Sequence, residues 1–405
     1  MCDTLCARHA AGMLFAKNSD RPLGEVQVVE AHPGRARGGK VRTQYLRIPD
    51  AGAMAALVAR PVWLWGAEHG VNERRVAIGN EKVFTTDDPE AVPPALIGMD
   101  LVRLGLERAA TADEALEVIT TLIERHGQGG IADASAREPY FSSFILADPS
   151  KAWVVETSGR RWVAREESSG AAISNRLTLR TDWTRAARDV EAGVDVDTWR
   201  NPDAPTGHAD VRLVESRALL AESPGAIGPA RLASHMRDHG GKHWGMPGSP
   251  GAAAVPPPAV AMPDGTGVTL CMHARGYQAT ASSMIADLPA DPAVPGRAWV
   301  ALGSPCVSIY VPVFPPDAVA GELASEELWW LVDALRRRVE ADGSLLDVVR
   351  GVLDPVESEL WEEADALVGA PQRWRGFAAS AGARTAGAIA RTCAAVGAGA
   401  PTSST

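Results

Sequence analysis

Cys2-Asp-Thr-Leu-Cys6 opens the chain, and after Ala11-Gly12 comes Met13-Leu-Phe-Ala-Lys-Asn-Ser-Asp20, then Arg21-Pro22. Thr4-Leu-Cys-Ala and Met13-Leu-Phe-Ala are short apolar runs with a glycine turn between them, which predicts two strands. Asn18 to Pro22 is dense in turn residues, so the second strand is expected to give way to a turn there. Cys2 has the most chemical leverage. Met1 precedes a small side chain, which favours its removal by methionine aminopeptidase, and Cys2 would then carry a free α-amine. Reference pKa values are about 7.7–8.0 for that amine and about 8.5 for a thiol. The amine can take the thiol proton directly or through one water, an established way to activate a nucleophile.

The pattern outward from this start is mixed. Val76-Ala-Ile-Gly-Asn-Glu81 reads as a strand with Asn80 at its polar end. Ile97, Leu101 and Leu104 fall on one helical face. Thr111-Ala-Asp-Glu114 is a capping box ahead of Leu116, Ile119 and Ile123, and Gly127 ends that helix. Ser143–Ala147 and Ala152–Glu156 are joined through Asp148-Pro-Ser-Lys151, a hairpin signal. Residues 208–240 look helical. Residues 245–267 are rich in proline and glycine and read as a loop or lid. Strands are expected again at 268–273, 298–302 and 307–311. After Pro315 the pattern is helical, with Leu328, Leu331, Leu335 and Val339 on one face and Ser344-x-x-Asp347 capping a second helix. Hairpin-linked strands with grouped helices predict an α+β layer architecture of antiparallel sheets.

Composition narrows the function. The chain has 405 residues, 46% of them hydrophobic and 22% charged, which is globular composition. No apolar run is long enough to span a bilayer, so no membrane partner is expected. Fifty acidic residues against 40 basic ones argue against a nucleic-acid partner. Between Pro315 and Leu367, 14 acids against 4 basic residues account for the whole net charge of −10. That tail, 315–405, is read as a unit distinct from 1–314, with its extreme end disordered. Five cysteines in a long chain do not suggest a disulfide framework, and the start lacks a secretory signal, so a cytoplasmic location is expected. Cys2-x-x-x-Cys6 lacks zinc spacing. His235-x-x-x-His239 could chelate, but Gly240-Gly241 breaks the helix before His243. No metal and no cofactor are expected.

A colinear set of motifs sharpens the reading. Cys2-Asp-Thr-Leu-Cys6, Phe15-Ala-Lys-Asn-Ser-Asp-Arg-Pro22 and Glu25-Val-Gln27 begin it. Arg60-Pro-Val-Trp-Leu-Trp-Gly-Ala-Glu-His-Gly70, Asn72-Glu, Ile78-Gly-Asn-Glu81, Trp153-Val-Val-Glu-Thr157, Ile173-Ser-Asn175, Cys271-Met-His273 and Thr280-Ala-Ser-Ser-Met284 follow in order. Together, from Cys2 to about Leu288, they resemble the secernin family and the cysteine dipeptidases grouped with it among N-terminal-nucleophile (Ntn) hydrolases. More distantly the chain resembles choloylglycine hydrolases and penicillin V acylases, with Lys17-Asn-Ser-Asp20 where those carry Arg-Asn-x-Asp.

The resemblance implies a four-layer αββα sandwich of two antiparallel sheets, here with a C-terminal acidic helical extension. It implies amide hydrolysis through an acyl-enzyme on Cys2. Asp20 would hold and orient the α-amine, and Lys17 would favour the thiolate by its charge, though without the planar fork of an arginine. Asn80 is a candidate oxyanion donor, and Asn175 would help to hold substrate and amine. Trp63, Trp65 and Glu68 match the family, but alternate tryptophans are read as core. His273 is read as structural or substrate-adjacent. The expected substrate is a dipeptide or other short amide, and the acidic tail is read as a candidate subunit contact of a homo-oligomer. The alternative is a secernin-like non-hydrolase whose N-terminal residue is converted to a carbonyl and acts as an electrophile or interaction protein.

Overall fold

Side chains alternate along Cys2–His9 and Gly12–Pro22 as they must in strands. Cys6, Met13 and Phe15 face one way and enter one apolar cluster. Leu5, Ala7, Leu14 and Ala16 face the other way and enter a second. A two-faced sheet of this kind needs a layer on each side. The computed structural model describes residues 1–135, 137–222, 226–240, 267–274 and 276–399. The expected 245–267 loop lies outside them save for Gly267, as do His243 and the expected disordered end from residue 400.

The first sheet runs Gly170–Ile173, Cys2–His9, Gly12–Pro22, Gln278–Pro289, Arg297–Leu302, Val311–Val313, with His273–Ala274 also paired to Gln278–Pro289. The second runs Arg185–Ala186, Arg161–Glu167, Ala152–Ser158, Phe141–Ala147, Ala77–Val83, His69–Asn72, Ala56–Pro61, Gln27–His32. Neighbours are antiparallel throughout. The sheets meet through Phe15, Met13 and Met284 on one side and Phe141, Ile145 and Val154 on the other. Helices α1 (Gly98–Arg108) and α2 (Ala112–His126) cover the outer face of the second sheet over Ile78, Phe144 and Trp153. Helices α3 (Thr206–Leu220) and α4 (Pro229–Met236) cover the outer face of the first over Leu5, Leu14 and Trp299. The result is the αββα sandwich.

Residues after Pro315 add α5 (Glu326–Ala341), α6 (Leu345–Ala366) and α7 (Trp374–Val396). They close over the two outermost strands, Val311–Val313 and Gln27–His32, and share the inter-sheet core through Val332, Leu335, Leu353, Leu360 and Phe377. Phe314 stacks on Trp374 at 4.4 Å.

Several local expectations fail for physical reasons. The turn expected at Asn18–Pro22 is strand, because partners on both sides claim it: Cys2 pairs with Ser19, and Thr280 with Asp20. The strands expected at 268–273 and 307–311 shrink to His273–Ala274 and Val311–Val313. There the backbone hydrogen bonds to side chains instead. Asn18 Nδ2 donates to the Leu270 carbonyl, Arg237 and Arg350 donate to that of Ser308, and Tyr310 N donates to Glu357. Ser344 does not cap α6; its hydroxyl donates to Asp342. Leu64 is buried while Trp63 and Trp65 are half-buried, so the tryptophans are not the core positions of that segment. Asn80 lies inside Ala77–Val83 rather than at its end.

Candidate active site

Cys2 is the first residue of a strand held between two others, so its position is fixed by the sheet. Its Cα partner is Ser19, one residue before Asp20. Asp20 N donates to Cys2 Sγ at 3.4 Å. Between Thr280 and Ser282 the register with Gly12–Pro22 slips by one, a β-bulge at Ala281. Thr280 is thereby set opposite Asp20, and its hydroxyl donates to Asp20 Oδ1 at 2.7 Å.

Cys2 lines a pocket with about 460 Å³ of empty space, part of it open to solvent, together with Met1, Asp20, Glu68, Asn80, Tyr140, Asn175 and Gln278. The backbone N–H of Cys2 donates to Asn175 Oδ1 at 2.9 Å. Asn175 is fixed in turn, since its Nδ2 donates to the Lys82 carbonyl at 3.0 Å. The Met1 ammonium donates to Gln278 Oε1 at 2.5 Å and to the Asp20 carbonyl at 3.2 Å. Burial lowers its pKa from the ordinary value.

The electrostatics follow from enclosure. Burial pushes the Cys2 thiol up to about 11, against the pull of Lys17 and the terminal ammonium. A thiol so placed needs a base before it can attack. Burial likewise pushes Asp20 up to about 7, opposed by the ammonium and by Arg212, whose guanidinium lies 3.8 Å from Oδ2. Lys17 is fully buried and pairs with Glu81 at 3.3 Å and Glu68 at 4.0 Å, while donating to the Asn80 carbonyl. Burial favours the neutral amine, but Cys2 and these two carboxylates outweigh it, so Lys17 is held cationic.

Asp20 and Asn175 bond directly to Cys2, Asn80 lines the same pocket, and Lys17 acts on the thiol by its charge. Asn175, not the Asp20 carboxylate, accepts from the Cys2 nitrogen. Asn80 is 1% exposed, and its Nδ2 reaches Ser142 Oγ at 3.3 Å and Met99 Sδ at 3.7 Å.

Sequence reasoning missed Arg212. This fully buried arginine of α3 donates to the Cys2 carbonyl at 3.0 Å and to Asn175 Oδ1 at 2.8 Å, and pairs with Asp3. No pattern announces it: its helix exposes Val211 and Val214 and buries Arg212 and Ser216, the reverse of a simple amphipathic reading. Arg21 was also missed. It spans Glu25, Glu68, the Tyr140 hydroxyl and the Ala132 carbonyl, and so braces one wall.

A larger groove, about 1260 Å³ of empty space, lies apart from Cys2 between α4 and α6, lined by Ser234, Arg237, Arg350 and Trp361 among others. Among the described residues no helix is long and apolar enough to cross a membrane.

No family model matches the chain. Among solved structures it is similar to a conjugated bile acid hydrolase from Clostridium perfringens, at 11% identity and a TM-score of 0.45, over 74% of this chain and 88% of that one. It is similar to penicillin V acylase from Agrobacterium tumefaciens at 12% identity and a TM-score of 0.42, over 80% and 89%. An N-acylethanolamine-hydrolyzing acid amidase ortholog from Caenorhabditis elegans matches at 14% identity and a TM-score of 0.29, over 44% and 71%.

Proposed function

We propose that this chain is a cysteine amidohydrolase of the N-terminal-nucleophile type, acting on dipeptides or other short amides after Met1 is removed. The observation that carries the proposal is the seat of Cys2, whose nitrogen is held by Asn175 Oδ1 inside a cavity that also receives its side chain.

With Met1 gone, that nitrogen becomes the α-amine. Burial that lowers the Met1 ammonium would act on it in the same sense and favour the free amine. The amine takes the thiol proton, and Lys17 stabilises the thiolate by charge. The sulfur attacks the amide carbonyl, and Asn80 Nδ2 would turn from Ser142 and Met99 to donate to the oxyanion. The tetrahedral species collapses as the ammonium returns its proton to the leaving nitrogen, which departs as an amine. Water then attacks the thioester, the α-amine takes a proton from it, and the acid is released with Cys2 restored. Asp20 holds its charge near the amine and favours the ammonium form between these steps. Charged groups of both signs on the pocket wall (Lys82, Arg21, Asp133) suit polar substrates better than large apolar ones.

The test is untagged protein with a confirmed free Cys2, screened against a dipeptide panel. Cys2→Ala is expected to abolish turnover with the thermal melt unchanged. Full activity in that variant would sink the proposal. A mass that instead fits a carbonyl at residue 2, with a hydroxylamine adduct there, would favour the electrophile reading. Asn80→Ala is expected to lower kcat by about 10²–10³-fold with little change in KM, the effect of losing one oxyanion donor.

A further inference from the structure

Away from Cys2, four potential metal ligands converge. His239 follows the end of α4, Cys271 and His273 lie ahead of Gln278–Pro289, and Cys306 sits in the short 3-10 turn Pro305–Val307. One donor atom from each lies within 4.8 Å of all the others. His273 Nε2 is 3.4 Å from Cys271 Sγ and 3.4 Å from Cys306 Sγ. The His239 and His273 rings meet edge to face at 5.3 Å. Zinc takes sulfur at about 2.3 Å and imidazole nitrogen at about 2.0–2.1 Å, so the edges of its tetrahedron are roughly 3.3–3.8 Å. The measured nitrogen–sulfur separations already fall in that range.

We propose that His239, Cys271, His273 and Cys306 form a closed, structural Cys2His2 zinc site. The donor set is the one that selects zinc: two thiolates and two imidazoles in tetrahedral array.

A metal-binding histidine is usually oriented by a partner on its other nitrogen. Glu340 of α5 supplies one, with Oε1 2.8 Å from His273 Nδ1. Arg336 donates to the other Glu340 oxygen at 2.7 Å. An Nδ1 proton given to Glu340 would leave Nε2, 3.4 Å from each sulfur, as the ligand atom. Hydrogen bonds to backbone carbonyls hold the ligand segments together: Cys271 N donates to that of Asp238, and the Arg237 side chain, through Nε, to that of Pro305. Cys271, His273 and Cys306 are buried, and all four positions of a tetrahedron are filled by protein, which leaves none for water or substrate. The site is therefore structural. His235, the other half of the His-x-x-x-His pair, faces Ser216 and takes no part. Sequence spacing conceals the set, since only Cys271 and His273 are near neighbours.

Binding fixes structure beside the catalytic cavity. Met272, between two ligands, donates from its backbone to Thr280 Oγ1 at 2.9 Å, and Thr280 donates to Asp20.

The experiment is elemental analysis of the full chain, purified under reducing conditions without chelator, with Cys2→Ala and Cys271→Ser/Cys306→Ser beside it. One zinc per chain is expected in the parent and in Cys2→Ala, and none in the double variant. If the double variant does not fold, the parent decides alone. Stripped of metal and titrated with Co²⁺, it should show sulfur-to-cobalt charge-transfer and tetrahedral visible bands saturating at one equivalent. His239→Asn should shift those bands. A parent that holds no zinc and gives no tetrahedral cobalt spectrum overturns the proposal, as does zinc that is lost with Cys2 and retained without Cys271 and Cys306.

Discussion

Arg212 joins three buried groups, the Asp3 carboxylate, the Cys2 carbonyl and Asn175 Oδ1, and its loss would leave the Asp3 charge without its arginine partner. Removing one partner of a buried ion pair costs about 3–5 kcal/mol. Arg212→Met is therefore expected to lower stability by about that amount, read from the urea midpoint at unchanged slope. Arg212→Lys keeps the charge but loses the two-armed fork, and should fall between. At this scale part of the candidate site is legible in the sequence. Cys2, Asp20, Lys17, Asn80 and Asn175 could be named because each sits in a short local motif. Arg212, Arg21 and Glu340 could not, because their contacts join residues far apart in the chain. His273 and His239 each stand out in the sequence, but nothing there joins them to each other or to Cys306, for the same reason.

Elements were legible where the signal was local. The Thr111 cap is present, with its side chain accepting from Glu114 N, and Gly127 ends α2 with a positive φ of 78°. Legibility failed where side chains from other elements take over the backbone, as at 268–271 and 305–310. The glycine after Trp65 shows a further kind of information that a pattern does not carry. A Cβ on Gly66 would lie 2.3 Å from the Met99 carbonyl carbon and 2.5 Å from Asp100 N, at the start of α1. The turn is packed directly on the backbone of that helix. Gly66→Ala must push the two apart, at a cost of about 1–3 kcal/mol. Because Met99 touches both Asn80 and Tyr140, kcat should fall in the same variant. A lowered melting temperature with unaltered kcat would place the strain elsewhere.

For the molecule as a whole, enclosure shapes the response to pH. Burial pushes Glu156 up to about 7, although Thr178 and Leu179 donate to it. Its ordinary value is about 4.3. A carboxyl raised in the fold binds its proton more tightly folded than unfolded, so its stabilising contribution is full below about pH 4 and is lost as pH rises through 7. Replacing it with the neutral isostere removes that loss. The melting temperature of Glu156→Gln relative to the parent should therefore rise between pH 5 and pH 8, as read by calorimetry. A parallel pair of curves would contradict the raised value. Asp20, raised in the same way, adds to the parent's slope. The seat of Met1 has a consequence in time. Its ammonium bonds to Gln278, a residue 277 positions further along. At about 5–20 residues per second, roughly 15–55 s of synthesis separate the two. Until Gln278 is made the start of the chain lacks that partner, and in the finished fold Met1 is half-buried against it. Under the proposed removal of Met1, maturation would race against folding, and the fraction of unprocessed chain in a preparation would record how often folding wins.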